Sequence, residues 1–256
     1  MTTLQETRSA RPAPVRAMLR NEARLLMREP AMVIWMLVAP VAADLVLALL
    51  PSTRKALPVF GGLSVWQTYL PVLVIFTLSL MMVQLLPSIA AGYREAGILK
   101  RLHATPVSPA ALLGADVLLY AGLGIGASVV LVVVPVMVGN VMPGNVWWFA
   151  LAVVASLVTF IALGACVMAL APTARFATGM GTVATFLLWF SAGLWVPRSV
   201  MPGWMGSVCD VLPGGAAVGL FTSAMASQAP PWRSLALLAA WVLVSGTVAV
   251  KTFRWE

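Results

Sequence analysis

Six apolar stretches divide this chain: Ala31 to Leu50, Val65 to Ala90, Leu112 to Val138, Val146 to Ala171, Gly179 to Val196 and Trp232 to Val250. Each is close to the roughly 20 residues that a helix needs to cross about 30 Å of hydrocarbon. Inside a bilayer every backbone N–H and C=O must find a partner within the protein, and stretches this long and continuously apolar do so as helices. The composition agrees: 61% of residues are hydrophobic and 9% charged, with a mean hydropathy of +0.97, whereas about a quarter of a soluble chain is charged. The expected fold class is an all-α integral membrane protein with six transmembrane helices, residues 31–256, preceded by an N-terminal segment, residues 1–30. The pieces between spans are too short to be enzyme domains, which take about 50 residues or more. The two halves do not resemble each other, so an inverted-repeat transporter gains no support.

Lys and Arg set the expected orientation. With the N-terminus inside, twelve basic residues fall on the cytoplasmic side and four, Arg54, Lys55, Arg198 and Arg233, on the outer side, as the positive-inside rule requires. Both termini are then cytoplasmic, in the plasma (inner) membrane. Trp66, Trp147, Trp148, Trp195, Trp204 and Trp232 fall near outer ends of spans, where amphipathic rings favour the interface. The net charge of +8 therefore reports topology. It does not form the basic stripe with interleaved aromatics that nucleic acid calls for. The polar first 30 residues and the full-length first span argue against a cleavable signal peptide. Cys166 and Cys209 lie on opposite sides in this topology, so neither a disulfide nor a metal pair is expected.

Residues Val15 to Glu29 read as an amphipathic helix on the inner membrane surface, with Arg16, Arg20, Arg24 and Arg28 opposite Val15, Met18, Leu19, Leu25 and Leu26. Glu22 breaks the pattern. At 100° per residue it points into the apolar stripe, where an unpaired carboxylate is costly, so it is expected to meet a basic group from the next charged segment or from a partner subunit.

That next segment, YREAGILKRLHATPVSP from Tyr93 to Pro109, is the charged interruption between the second and third spans. A helix of roughly Arg94 to Ala104 is expected, with Ile98, Leu99 and Leu102 as its apolar stripe and Arg94, Glu95, Lys100 and Arg101 on the flanks. Thr105-Pro106 and Pro109 bound it. The segment Arg198 to Pro231 is a second oddity. It carries four prolines, the run LPGGAAVGLF and only two charges, Arg198 and Asp210, which suits short helices dipping into the outer leaflet and returning.

These features together resemble the ABC type-2 exporter permeases, most closely the small drug-resistance permeases of daunorubicin-resistance type. The most specific match is E-x-G-x-L-K-R-L-x-x-T-P-x-S, carried by Glu95, Gly97, Leu99, Lys100, Arg101, Leu102, Thr105, Pro106 and Ser108, with LPGG at Leu212 to Gly215 as a second. Ile98 stands where the family often has Thr. The resemblance implies a transport subunit moving an apolar or amphipathic substrate outward, paired with a second permease, identical or related, and with two copies of a separate ABC ATPase. Arg94, Glu95, Gly97, Leu99, Lys100, Arg101 and Leu102 become the ATPase-coupling residues, with Gly97 allowing close approach. ATP and Mg would sit on the ATPase, and this chain would bind no cofactor. Consistently, no G-x-x-x-x-G-K-[S/T] phosphate loop occurs. Gly122, Gly124 and Gly126 lie inside an apolar span, where glycines serve helix packing.

By the same resemblance, spans two and five flank the substrate pathway, which nominates Phe76, Met81, Met82, Phe186, Trp189 and Phe190 as cavity residues. Only Asp44 and Asp116 are ionisable within spans, and such groups are functional candidates by default. Asp44 is either a buried structural partner or part of the substrate path, and Asp116 has a structural or interfacial role. His103 suits the C-terminal dipole of the charged helix rather than catalysis. An ion-gradient transporter using Asp44 and Asp116 is the alternative function. A membrane enzyme lacks any paired carboxylates, metal constellation or nucleophile set within the spans.

Overall fold

The computed structural model describes residue 20, residues 23–24, 34–102, 109–138 and 142–252. Among the described residues the chain is helical, apart from turns and one isolated β-bridge between Ala56 and Ser64. A π-helical turn, Ile34–Val38, leads into α1, Ala39–Leu49; then follow α2, Val65–Ser79, a six-residue π segment, Leu80–Leu85, and α3, Leu86–Glu95. Beyond a break come α4, Ile98–Leu102; α5, Pro109–Met137; α6, Val146–Leu170; α7, Ala174–Ala192; α8, Gly203–Val211; α9, Pro213–Met225; and α10, Trp232–Thr252.

Among the described residues four helices are long and apolar enough to cross a membrane: Val65–Glu95, Ala110–Met137, Val146–Leu170 and Trp232–Thr252, with α8 and α9 counting as a fifth if the bent pair is one span. The first and fifth expected spans differ from the sequence reading. Among the described residues the first is the shorter apolar helix Met36–Leu49, which ends one residue before the expected Leu50, where the chain turns extended ahead of Pro51; its expected start, residues 31–33, lies outside the described residues. The fifth begins five residues earlier than expected and ends four earlier. Thr173 caps its start by accepting from the Phe176 N–H, and Gly193 ends it in the left-handed conformation, φ +96°. Arg175, expected in a loop, therefore stands in its first turn. Of the expected amphipathic helix only Arg20, Ala23 and Arg24 are described, and all three are helical. Glu22 lies outside the described residues, as do His103, Thr105, Pro106 and Ser108.

Helix α2 is the hub. It packs against α1, α5, α6, α7 and α9, and 67% of the 18-residue apolar stretch taken from the Val65–Glu95 span is buried, against 17% of the corresponding stretch of α10 at the periphery. Its start is fixed by a capping box in which the Gln67 N–H donates to Ser64 Oγ and the Ser64 N–H donates to Gln67 Oε1. Exposed Val129, Val133 and Met137 on α5, Val154 and Val158 on α6, and Leu243, Val244 and Val250 on α10 supply the apolar exterior expected of a lipid-facing bundle.

The π segment has a local cause. Pro87 lacks an N–H, and the Leu86 N–H reaches back five residues to the Met81 carbonyl. In that register the Met82 carbonyl would need the missing N–H of Pro87. Two neighbouring helices close over the widened turn at glycines. A Cβ on Gly164 of α6 would stand 1.9 Å from the Met82 oxygen, and one on Gly181 of α7 would stand 2.7 Å from the Val83 oxygen. Weak Cα–H···O contacts recur at such close crossings.

A polar seam joins the same span to α7. The Trp189 indole N–H donates to Ser79 Oγ (2.8 Å), Gln84 bonds Thr182 (3.3 Å) and Thr185 (3.4 Å), and the Ser88 and Thr178 hydroxyls are 2.9 Å apart. On α7 the spacing 178, 182, 185, 189 is one helical stripe. On the partner the step from Ser79 to Gln84 is five residues, which in an α-helix would put Gln84 on another face. The wide π turn brings it back into line.

The LPGG motif has a packing explanation too. Pro213 opens α9 in its first turn, and α8 and α9 meet at 97°. A Cβ on Gly215 would lie 1.9 Å from the Cys209 carbonyl oxygen, and one on Gly214 would lie 2.2 Å from the Leu188 carbonyl oxygen. Only hydrogens fit in this corner. The Val211 carbonyl at the bend accepts from the Trp241 indole (2.9 Å), and Arg198 is salt-bridged to Asp210.

Replacing Gly164 by Ala is expected to displace α6 from the π turn and to lower the thermal stability of the detergent-solubilised protein. Overpacking of this kind costs about 1–3 kcal/mol. Gly179→Ala, on an open face with no atom within 4 Å, is the control and leaves the melting temperature unchanged.

Candidate functional site

Helix α3 stops at Glu95 and α4 starts at Ile98, so the expected continuous helix from Arg94 to Ala104 is broken. Gly97 is the reason. Its φ of +67° is a left-handed conformation that ends helices and that other residues adopt at a cost. The Ala96 N–H still bonds the Gly92 carbonyl (2.9 Å), the Gly97 N–H the Arg94 carbonyl (3.0 Å), and α4 restarts with Arg101 N–H to the Gly97 carbonyl (3.1 Å). No atom lies within 4 Å of the place a Cβ would occupy. Within the chain, then, the glycine serves backbone conformation rather than close approach.

The elbow sorts the sequence-predicted residues. Leu99 is buried, at 1% exposure, while Glu95 and Arg101 are exposed on either side of it. Lys100 and Leu102 lie in the same short helix. One side chain seats the elbow, and charges of both signs remain on its surface.

Arg94 behaves differently from its neighbours. Its guanidinium reaches 77 residues along the chain and donates from Nη1 to the Ala171 carbonyl (3.1 Å) and from Nη2 to the Met168 carbonyl (3.4 Å). Both oxygens belong to the C-terminal turn of α6, where carbonyls lack intrahelical partners and cations are favoured. Pro172 removes the N–H that would have continued the ladder to Met168. Arg94 substitutes for it.

Asp44 on α1 is fully buried, and the Trp66 indole N–H donates to its Oδ1 at 2.9 Å. Its Oδ2 is buried with no hydrogen-bond partner. Trp66, expected at an interface, is therefore a core residue at 1% exposure. An indole is large enough to fill the space under α1 and still carry one donor to the carboxylate. Asp116 on α5 is likewise buried.

Of the expected cavity residues, the structure brings together Phe76, Phe186 and Trp189. The Phe76 and Trp189 rings stack at 4.5 Å, and Phe186 lies 5.2 Å from Trp189. Trp195 completes the group, stacked on Phe186 at 5.4 Å. Trp195, expected at an interface alone, stands six residues after Trp189 and just past the Gly193 helix stop, and that spacing is the signal in the sequence. Met81 and Met82 are wholly buried in the core, so within one subunit they line no open surface. Phe190 is half-buried and outside the stacked group. A separate open groove of about 650 Å³ runs along α7, lined by Val167, Phe176, Met180, Val183 and Leu187 among others, and includes none of the nominated residues. Among the described residues no cluster of metal-ligating side chains occurs.

Residues 14–226, which include the elbow, the seam and the LPGG corner, match the model of the ABC-2 type transporter family. The chain belongs to that family. No curated protein and no solved structure matches it. Membership makes this ABC-2 protein a multi-pass membrane permease of an ABC transporter, a transport subunit that is not itself catalytic, and it implies an ABC ATPase as partner. The daunorubicin-resistance subfamily is not established by that match.

Trp66→Phe is expected to strand the Asp44 carboxylate and to lower stability by about 1–3 kcal/mol, read by thermal unfolding in detergent. Adding Asp44→Leu should recover most of the loss, since removing both polar partners is close to neutral. If transport falls in that double variant although stability is recovered, transport needs the Asp44–Trp66 pair itself and not only the stability it provides.

Proposed function

We propose that this permease is the membrane half of an ATP-driven exporter that moves an apolar or amphipathic molecule out of the cytoplasm or the inner leaflet. In this reading Met36–Leu49 and Ala174–Ala192 cross the membrane with the four longer spans, giving six. The bent pair α8–α9 dips into the outer leaflet and returns. Both termini and the elbow face the cytoplasm of a plasma membrane, and two permease subunits pair above two ATPases.

The observation that carries the reading is the elbow. Exposed Glu95 and Arg101 flank a buried Leu99 just past a glycine that breaks the longest, most buried span. A rigid, short, charged ledge at the end of a core helix is what a soluble engine needs in order to push on a membrane subunit. Glu95, Lys100 and Arg101 are the proposed ATPase contacts, with Gly97 and Leu99 holding the ledge in place. The stacked rings of Phe76, Phe186, Trp189 and Trp195, with no charge among them, favour a lipophilic drug, natural product, peptide or lipid over a polyanion.

The test is copurification of an ABC ATPase with the tagged chain, followed by Glu95→Ala with Arg101→Ala. The double variant is expected to fold normally and to lose transport per ATP hydrolysed by about ten-fold or more, as loss of paired interfacial charges does. Unchanged coupling would remove these residues from the interface. Transport that persists without ATP but collapses with the proton gradient would instead favour an Asp44–Asp116 relay.

A further inference from the structure

We infer that Arg94 is a positioning residue, a strut that fastens the elbow to the α6–α7 turn, so that α2, α3 and α7 move as one rigid panel when the elbow is pushed. The inference rests on the ATP-driven reading above and deepens it by naming where the push goes. Resemblance places Arg94 among the ATPase contacts, but its guanidinium is engaged with the Met168 and Ala171 carbonyls. Glu95 and Arg101, by contrast, are exposed. The strut, from α3 to the C-terminal turn of α6, stands at the head of a row in which three further cross-links join the same span to α7. Ser88 to Thr178, Gln84 to Thr182 and Thr185, and Ser79 to Trp189 follow in order away from the elbow.

Two further features make the panel stiff. Gly181 admits the Val83 carbonyl so closely that a methyl group would collide with it, which leaves little room for α7 to slide. The π turn keeps Ser79, Gln84 and Ser88 on one face, so all the polar links act along a single line. Individually such bonds within a membrane protein are weak, but together they must break at once for the helices to separate. The attachment at the elbow end is the most exposed to load. Arg94 holds it through a turn that Pro172 leaves short of one backbone donor.

Cysteines at Ser88 and Thr178 test the panel directly, because their side-chain oxygens are 2.9 Å apart, within reach of a disulfide. In the intact transporter complex, oxidised Ser88→Cys/Thr178→Cys is expected to transport as well per ATP as its reduced form. A cross-link that abolishes transport would mean that these helices slide in the cycle and would overturn the panel. Arg94→Ala is expected to keep its ATPase and its hydrolysis but to lose transport per ATP by about ten-fold or more, with the oxidised cysteine pair restoring it. Melting temperatures measured in parallel separate this from simple destabilisation, since a merely structural Arg94 would lower stability and leave the ratio of transport to hydrolysis unchanged. That unchanged ratio, or release of the ATPase by Arg94→Ala, would overturn the strut. Failure of the underlying functional reading would appear elsewhere, as an unmodified chain that captures no ATPase.

Discussion

A carbonyl that loses its helical partner inside an apolar bundle has to be enclosed by protein, and much of this structure follows from one such place. Pro87 sets it up by withholding an N–H eight residues before the end of a core span at Glu95. The helix widens over Leu80–Leu85, the Met82 and Val83 carbonyls turn toward neighbours, and those neighbours present Gly164 and Gly181. Glycine is needed because any side chain would occupy the space of the oxygen. The approach of α6 and α7 to the central span is thereby fixed at one depth, and the polar side chains on either side of it fall into register.

That register links the core to the elbow. A helix that ended in a flexible loop would dissipate a push, whereas here the long span ends in a left-handed glycine, a buried Leu99 and an arginine tied to the next helical hairpin. Glu95 and Arg101 remain exposed on the surface of the ledge. The LPGG corner at the opposite end uses the same device, with Gly214 and Gly215 admitting the Leu188 and Cys209 carbonyls. Two sequence motifs far apart in the chain thus share one physical reason for their glycines.

The architecture was largely legible because hydrocarbon imposes a length and a polarity on whatever crosses it. Spans two, three, four and six fall close to their expected ranges. The fifth does not, since its ends are set by local events, the Thr173 and Gly193 caps, rather than by hydropathy. The charged segment was visible as a helix but not as an elbow. Gly97 is compatible with a helix interior by sequence, and only its positive φ reveals the break. Phe76, Phe186 and Trp189 are nominated by family resemblance, and their rings do meet; that Trp195 joins them is not legible, because a tryptophan near a span end reads equally well as an interfacial anchor.

Sequence by itself determined that the chain is an all-helical membrane protein of the ABC-2 type, because apolar length and a charged motif of defined spacing are properties of consecutive residues. Tertiary structure decided which polar groups meet. Arg94 finds the Ala171 carbonyl 77 residues away, Trp66 leaves the interface for Asp44, and Gln84 reaches α7 only because a π turn rotates it there. Such pairings depend on the phase of two helices and the distance between them, and no single stretch of sequence carries either quantity.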